Sequence, residues 1–328
     1  MKKIIVIGSN SFSGATFTEL ALRRGCLVHG ISRSSELNNA FLPYKWIDNR
    51  NFNFYELDLN KHLKRIVDLI QDFKPSYVVN FAAQSMVGES WKSPEDWFMT
   101  NTVSTIKFHE ELRKCVFLKR YVHVSTPEVY GSCSGFVKED CNFNPSTPYA
   151  VSRAASDMSL RTFHSAYNFP VVTTRAANVY GPGQQLYRII PRTILFVLLG
   201  RKLQLHGGGA STRSFIHMRD VSEATYKIME YGENGETYHI STSNVISIHD
   251  LVQQICLKLG VEFDDHVEFV DERMGKDSAY HLDSSKIRTE FGWQDQILLD
   301  EGLNECILWV KANLEILKNH PFDYQHKP

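Results

Sequence analysis

The residues best suited to chemistry lie between positions 123 and 153. A hydroxyl and a carboxylate, Thr126 and Glu128, follow an apolar run typical of a strand, and Tyr149 and Arg153 stand four residues apart in a segment typical of a helix. Residues with that spacing share one helical face. Because an ionised phenol beside a cation can accept a proton, this set of side chains could deprotonate the hydroxyl group of a sugar or another alcohol.

Two further residues mark the start of the helix that carries Tyr149. Thr147 suits the N-cap position and Pro148 the first helical position. Tyr149 then lies in the first turn, where the helix dipole favours an ionised phenol. A strand that ends near residue 125 and a helix from about 148 to 167 must therefore position the reactive groups.

Strands and helices alternate regularly through the first half of the chain. Apolar runs typical of strands occupy residues 3–7, 26–32, 52–60, 77–85, 120–125 and 171–179, and helical patterns occupy 14–24, 61–73, 96–115 and 148–167. This alternation predicts an α/β fold with a doubly wound parallel sheet and helices on both faces. Thr126 and Glu128 then lie at the carboxyl end of a strand, where such sheets bind their ligands.

The second half of the chain has shorter elements and more scattered polar residues, with a helix predicted near 191–200 and an irregular segment at 320–328. We predict a dinucleotide-binding Rossmann domain at 1–179. A smaller C-terminal α/β domain for the substrate follows at 180–328 and is interleaved with the first.

The first strand leads into the sequence GSNSFSG at 8–14. Gly8 and Gly14 permit the turn and close helix packing, while Ser11 stands where a middle glycine is common. The amides at the start of the next helix can bind a pyrophosphate. The loop predicts a dinucleotide site, with an ordinary turn between strand and helix as the alternative.

The end of the second strand bears on which dinucleotide binds. Ser32 and Arg33 stand where an aspartate would suit the ribose of NAD. Since a cation with hydroxyl groups suits a 2′-phosphate better, these residues favour NADP over NAD, unless Arg33 is only a solvated surface residue. Asp58 at the third strand is a candidate for contact with the adenine edge.

Charge and cysteine content exclude several classes of protein. With 36 basic and 37 acidic residues the chain has no electrostatic signature for nucleic acid or a membrane surface. Its six cysteines show neither a CxxC pair nor metal-ligand spacing, which indicates a cytoplasmic protein without a bound metal. The first ten residues are too short in apolar sequence for a signal peptide, and the run ILFVLL at 194–199 cannot cross a bilayer.

Taken in order, the motifs resemble the extended short-chain dehydrogenase/reductase family, and within it the nucleotide-sugar 4,6-dehydratases. The resemblance covers nearly the whole chain. Its matching stretches are GSNSFSG, DLN (58–60), NFAAQS, TN (100–101), HVSTPEVYG, PYAVSRAASD, RAANVYGPG and RMGKDSAYHLDSSK. The stretch VHGISRSS (28–35) is most similar to the NADP-using GDP-mannose enzymes, whereas STPEVYG is more similar to the dTDP-glucose enzymes.

This resemblance implies a role for each reactive residue. Thr126 would help to hold the sugar 4-hydroxyl, and Tyr149 would take its proton while hydride leaves C4 for the nicotinamide. Glu128 would then remove the C5 proton, with water leaving from C6 and hydride returning there. Cofactor contacts are implied for Gly8, Asn10, Ser11, Phe12, Gly14, Ser32, Arg33, Asp58, Leu59, Ala82, Ala83, Asn101, Tyr149 and Arg153. Substrate contacts are implied for Ser85, Thr126, Asn178, Arg213 and Arg273, with the two arginines on the diphosphate.

Two residues depart from the pattern of the family. Arg153 stands where the family has a lysine; both can lower a tyrosine pKa, but a guanidinium is larger and planar. Pro127 stands where the dTDP-glucose enzymes have an aspartate that helps C6 hydroxide to leave. Since proline can donate no proton, either Glu128 transfers that proton itself or the product is not a 6-deoxy-4-keto sugar.

Three hypotheses remain open from the sequence. The first is a nucleotide-sugar 4,6-dehydratase, and the second is a nucleotide-sugar 4-epimerase, 4-dehydrogenase or decarboxylase. Glu128 favours the first, because a simple epimerase needs no base at C5. The third is a nonenzymatic dinucleotide-binding protein, against which the retained Thr126, Glu128 and Tyr149 argue. The resemblance also implies a homodimer formed through the helices at 96–115 and 148–167.

Overall fold

The structure is a computed structural model that describes residues 1–133, 135–140, 142–271 and 281–328. Arg273, which was predicted to hold the substrate diphosphate, lies outside the described residues. The strands are β1 (Lys3–Ile7), β2 (Leu27–Ser32), β3 (Phe52–Glu56), β4 (Tyr77–Asn80), β5 (Arg120–Val124), β6 (Phe136–Val137), β7 (Val171–Ala176), β8 (Asn178–Tyr180), β9 (Leu203–His206), β10 (Thr212–Arg213), β11 (Phe215–His217), β12 (Thr237–Ile240), β13 (Ile246–Ser247), β14 (Val267–Val270) and β15 (His281–Leu282). The α-helices are α1 (Phe12–Arg23), α2 (Leu63–Phe73), α3 (Pro94–Phe98), α4 (Thr105–Leu112), α5 (Pro148–Tyr167), α6 (Ile189–Leu198), α7 (Met218–Tyr231), α8 (Ile248–Leu259), α9 (Phe263–His266), α10 (Ser285–Phe291), α11 (Leu299–Ala312) and α12 (Leu314–Leu317).

A seven-stranded parallel sheet organises the fold, in the order β12-β7-β5-β4-β1-β2-β3. The chain runs outward from β1 to β3 and then crosses back to β4 on the other side of β1. This topology confirms the predicted doubly wound α/β fold. Ligands of such sheets bind where the strand order reverses, at the carboxyl ends of β1, β2 and β4.

Alternate residues of β1 explain why helices cover both faces of the sheet. Ile4 and Val6 are fully buried in one apolar cluster, which includes side chains of α1 and α7. Ile5 and Ile7 are buried in a second cluster, which includes side chains of α2, α4 and α5. Because successive strand residues point to opposite faces, a continuous apolar strand requires a cover on each side.

The second half of the chain returns to this sheet. β12 pairs with β7, so the sheet contains a strand from beyond residue 180. The strand predicted at 171–179 is in fact two strands, because the chain changes partners: Ala177 N donates to Ile240 O, and Asn178 N donates to Ser214 O. β8 accordingly pairs with β11, outside the central sheet.

The helix predicted at 96–115 is interrupted. A π-helical turn at Met99–Ser104 joins α3 to α4. Each π turn takes up extra residues, which shifts the face that the following residues present. Trp97 is fully buried, whereas Val103, within the π-helical turn, is 39% exposed. Within the described ranges, no helix has both the length and the apolar composition that crossing a membrane requires.

Candidate active site

The turn between β1 and α1 needs both of its glycines. Gly8 has a φ of +82°, and a Cβ there would lie 2.7 Å from Ala82 N. A Cβ on Gly14 would lie 2.2 Å from Gly8 O. Ser11 serves as the N-cap of α1: its Oγ donates to Gly8 O at 2.7 Å and accepts from Gly14 N at 3.0 Å. The helix therefore begins at Phe12, two residues earlier than predicted.

Beside this turn lies a cavity of about 330 Å³. Nine of the predicted cofactor-binding residues line it: Gly8, Asn10, Ser11, Ser32, Arg33, Asp58, Leu59, Ala82 and Ala83. Phe12 and Gly14 are not among the lining residues, because both are buried at the start of α1. Asn101 is also fully buried; it accepts from Gln84 N and donates to Gln84 O, so it fixes the cavity wall from behind.

The lining also includes four residues from the second half of the chain that no motif indicated: Tyr187, Tyr324, Gln325 and Lys327. Three of them belong to the segment at 320–328, which was predicted only to be irregular. Such a segment has no periodic pattern that could indicate where it lies. Its place at the cavity depends on contacts with residues more than two hundred positions earlier in the chain.

The two residues that were taken to favour NADP are both engaged within the protein. Ser32 Oγ accepts from Asn10 N at 2.9 Å, which ties the turn to β2. Arg33 Nη1 donates to the main-chain oxygens of Lys327 and Pro328, at 2.9 and 3.2 Å. Arg33 is therefore not merely a solvated surface arginine.

Thr126, at the end of β5, begins a short 3-10 turn at Pro127–Tyr130. Its Oγ1 accepts from Glu128 N at 3.4 Å, as an N-cap does. Pro127 is the first residue of the turn, where the absence of an amide hydrogen costs no hydrogen bond. The turn thus explains how a proline is accommodated in this position.

The start of α5 confirms the predicted capping. Thr147 Oγ1 accepts from Ala150 N at 3.2 Å, and Pro148 is the first helical residue. Burial, and then the nearby charge of Glu128, raise the pKa of Tyr149 to about 12, although Arg153 and a hydrogen bond with Thr126 act to lower it. Thr126, Glu128 and Arg153 are thus neighbours whose charge or hydrogen bond acts on the Tyr149 phenol.

Arg153 is only 2% exposed. Its Nη2 donates to the main-chain oxygen of Val124 and lies 3.3 Å from His123 Nε2. Its Nε and Nη1 are buried and have no hydrogen-bond partner among the described residues. Since buried donors without acceptors are costly, these two fit a ligand that brings oxygen acceptors, such as the hydroxyl groups of a ribose.

A buried ionic network lies behind Arg153 and was not predicted. Asp157 Oδ2 accepts from Arg175 Nη2 at 2.7 Å and from Ser125 Oγ at 2.6 Å, and its Oδ1 lies 3.2 Å from His123 Nε2. Burial alone would raise the pKa of Asp157, but Arg175, His123 and Arg153 together lower it. The position of Asp157, four residues after Arg153 on the same helical face, is the signal in the sequence that could have indicated it.

None of the predicted substrate residues that the structure describes lines the cavity, and neither do Tyr149 and Arg153. Ser85 is exposed beyond β4, and Asn178 is partly buried in β8. Arg213 is buried in β10, where its Nη1 donates to Thr212 O at 2.7 Å. Their roles stay predictions. The described side chains also include no group of three residues that could hold a metal ion.

Comparison with known proteins gives a consistent result. The family model described as GDP-mannose 4,6 dehydratase matches residues 5–306. A dTDP-glucose 4,6-dehydratase of Xanthomonas campestris pv. campestris is 30% identical, with 94% of this chain and 93% of that protein covered. The solved structure of dTDP-glucose 4,6-dehydratase from Bacillus anthracis in complex with NAD has a TM-score of 0.88 at 29% identity, covering 97% of this chain and 99% of that one. UDP-glucuronic acid 4-epimerase from Bacillus cereus, in complex with UDP-glucuronic acid and NAD, has a TM-score of 0.85 at 26% identity, covering 94% and 99%.

Proposed function

Since the chain belongs to the nucleotide-sugar 4,6-dehydratase family of the extended short-chain dehydrogenases/reductases, we propose that its site removes water from the sugar of a nucleotide diphosphate sugar. The protein is a nicotinamide-dependent 4,6-dehydratase, as the first of the three hypotheses predicted. The relatives include dTDP-glucose enzymes, while the matching family model is that of GDP-mannose, so the test of function uses sugars of several nucleotides.

The observation that carries the mechanism is the meeting of two elements at the end of β5. Thr126 and Glu128 lie in the turn that follows this strand, and Arg153, one helical turn after Tyr149 on α5, donates to Val124 O. Tyr149, hydrogen-bonded to Thr126, is placed to accept the proton of the sugar 4-hydroxyl. A nicotinamide held beside these residues would supply the acceptor for the C4 hydride and the donor of that hydride to C6. The positive charge of Arg153 favours the ionised phenol and so assists the first oxidation.

Glu128 acts at the next step. The new 4-ketone makes the C5 hydrogen acidic, and the carboxylate removes it as a proton. The electron pair left at C5 forms the C5–C6 double bond as the C6 hydroxyl departs. Pro127 can supply no proton to that hydroxyl, so the protonated Glu128 passes its own, and one water leaves. The hydride would return to C6, a solvent proton would be added at C5 and Tyr149 would release the 4-hydroxyl proton to solvent, so the net change is the loss of one water.

The cavity beside the β1–α1 turn is the proposed site of the cofactor. The amides at the start of α1 suit its pyrophosphate, and Asp58 stands at the wall as a candidate for the adenine edge. Arg153, with its two buried donors, suits the nicotinamide ribose. The finer preference for NADP rests on Ser32 and Arg33, which both have partners within the protein, so separate titrations with NAD and NADP decide it.

The proposed homodimer has its own structural support. Large apolar side chains stand exposed on the two helical stretches that were expected to form it: Met99 and Val103 between α3 and α4, and Val151 and Met158 on α5. Equilibrium sedimentation of Met158→Glu beside the unaltered protein tests this. A monomeric variant supports the interface, and an unchanged mass contradicts it. The domain boundary near residue 180 and the cytoplasmic location stay predictions.

The experiment that tests the function is incubation of the cofactor-loaded protein with GDP-, dTDP-, UDP- and CDP-sugars. One of them should lose one water and become a 4-keto product, as mass spectrometry will show. Products of unchanged mass with inverted C4 would instead support the epimerase hypothesis. A product that has lost two hydrogens or carbon dioxide would support the dehydrogenase or decarboxylase.

A further inference from the structure

The segment at 322–328 crosses from the C-terminal helices to the dinucleotide cavity, although it contains neither a helix nor a strand. Its start is fixed to α6: Arg192 donates to the main-chain oxygen of Phe322 and pairs with Asp323, both at 2.9 Å. The ring of Phe322 also lies edge-on to Phe196, with centroids 5.8 Å apart. These contacts hold the start of the segment on α6, and from there the segment runs toward the cavity.

Next along the segment, contacts fix it to the residues that follow β4. Tyr324 Oη donates to Gln84 Oε1 at 3.4 Å, and Gln84 Nε2 donates to Lys327 O at 2.6 Å. Gln84 is itself buried and held by the amide of Asn101. His326 stacks on Trp97, with centroids 4.9 Å apart, and its Nε2 lies 2.7 Å from Asp96 Oδ2.

At its end the segment reaches the opposite rim, where Arg33, just after β2, donates to the main-chain oxygens of Lys327 and Pro328. β4 and β2 are the two neighbours of β1 in the sheet. A segment bound both to Gln84 and to Arg33 must therefore cross in front of the end of β1, where the Gly8–Ser11 turn lies. Tyr324, Gln325 and Lys327 accordingly share the cavity with that turn.

We propose that segment 322–328 is a strap that forms one wall of the dinucleotide site and retains the cofactor between turnovers. The inference rests on the proposed function in one respect, because a dehydratase that returns its hydride to the product has no need to exchange its cofactor. Release of the dinucleotide requires the strap to leave Gln84 and Arg33. Because the contacts to Arg33 and one contact to Gln84 are made by main-chain oxygens, removal of the segment is the cleanest perturbation.

The test compares the rate at which bound NAD leaves the full chain and a chain that stops after Asp323, which keeps the anchor at Arg192. NAD labelled with an isotope is loaded, excess unlabelled NAD is added, and the label that remains on the protein is followed without any sugar. Release should be at least about tenfold faster from the shortened chain. An equal or slower release overturns the proposal, as does tighter NAD binding by the shortened chain, which would make the segment an inhibitor.

Point variants keep the test decisive if the shortened chain does not fold. Tyr324→Ala and His326→Ala should each speed release, whereas Tyr231→Ala removes an exposed tyrosine that does not line the cavity and should not. If none of the variants speeds release, the proposal that segment 322–328 retains the cofactor is wrong. Since no sugar is present, a negative result in the sugar panel leaves this measurement unaffected, so failure of the strap and failure of the dehydratase assignment are distinguishable.

Discussion

Replacement of Glu128 by glutamine should separate the oxidation of the sugar from the loss of water. Glutamine keeps the shape of the side chain but cannot take the C5 proton, so formation of the 4-keto-6-deoxy product should fall by about 10²- to 10⁴-fold, the usual contribution of a general base. The oxidation at C4 should survive. After burial, the charge of Glu128 is the largest cause that raises the pKa of Tyr149 to about 12.

The size of the effect on oxidation follows from that pKa. At pH 7 a phenol with a pKa of about 12 is ionised in roughly one molecule in 10⁵, and each unit by which the pKa falls raises this fraction about tenfold. Loss of the carboxylate charge lowers the pKa of Tyr149, so Glu128→Gln should oxidise the sugar at least as fast as the unaltered protein.

A single turnover, followed by the near-ultraviolet absorbance of reduced nicotinamide, measures this directly. In Glu128→Gln the reduced cofactor should form and persist, while in the unaltered protein it should appear only transiently. Glu315→Gln, at an exposed carboxylate on α12, is the matched control and should behave like the unaltered protein. Normal product formation by Glu128→Gln, or loss of the oxidation step together with the elimination, would refute the assigned role.

Three further predictions concern two residues of α5 and one buried histidine. Tyr149→Phe should lower the rate of C4 oxidation by about 10²- to 10⁴-fold in the same single-turnover assay without loss of bound NAD, and a near-normal rate would show that the phenol transfers no proton. Arg153→Lys should keep activity if the site requires only a cation at this position. A drop of about tenfold or more in turnover would instead show that the site requires the bond from Arg153 Nη2 to Val124 O, which the shorter lysine cannot make. Burial, and then Arg219, lower the pKa of His217 to about 3, so below its unfolded value near 6.5 only the unfolded chain takes up a proton. The free energy of unfolding should therefore decrease as the pH is lowered from 6.5 to 5, by up to about 2 kcal/mol for this residue. Urea denaturation measures this change, which should be smaller in His217→Gln.

Features that depend on neighbouring residues were predicted correctly from the sequence. Thr147 and Pro148 define the start of α5 by capping chemistry within three residues, and the helix has the predicted bounds of 148–167. Gly14 is required by the turn itself, because a Cβ there would lie 2.2 Å from Gly8 O. These features need only neighbouring residues, or the regular alternation of strands and helices, to be recognised.

Features that depend on distant contacts could not be predicted in the same way. The helix predicted at 96–115 is interrupted by a π-helical turn, and the strand predicted at 171–179 is divided in two by pairing with Ile240 and Ser214. Arg33 is tied to the last residues of the chain, almost three hundred positions away. No periodic pattern or short motif indicates such contacts, because each joins residues that are far apart in the sequence and meet only in the folded protein.

The central claim, that the protein removes water across C5 and C6, is tested most directly by the reaction in deuterated water. The sugar that reacts in the panel should yield a product with one deuterium at C5, placed there by solvent, while the hydrogen at C6 comes from the substrate's own C4. Mass spectrometry and proton NMR spectroscopy locate the label. A product without deuterium at C5 would contradict the account, because no elimination through Glu128 could then have occurred.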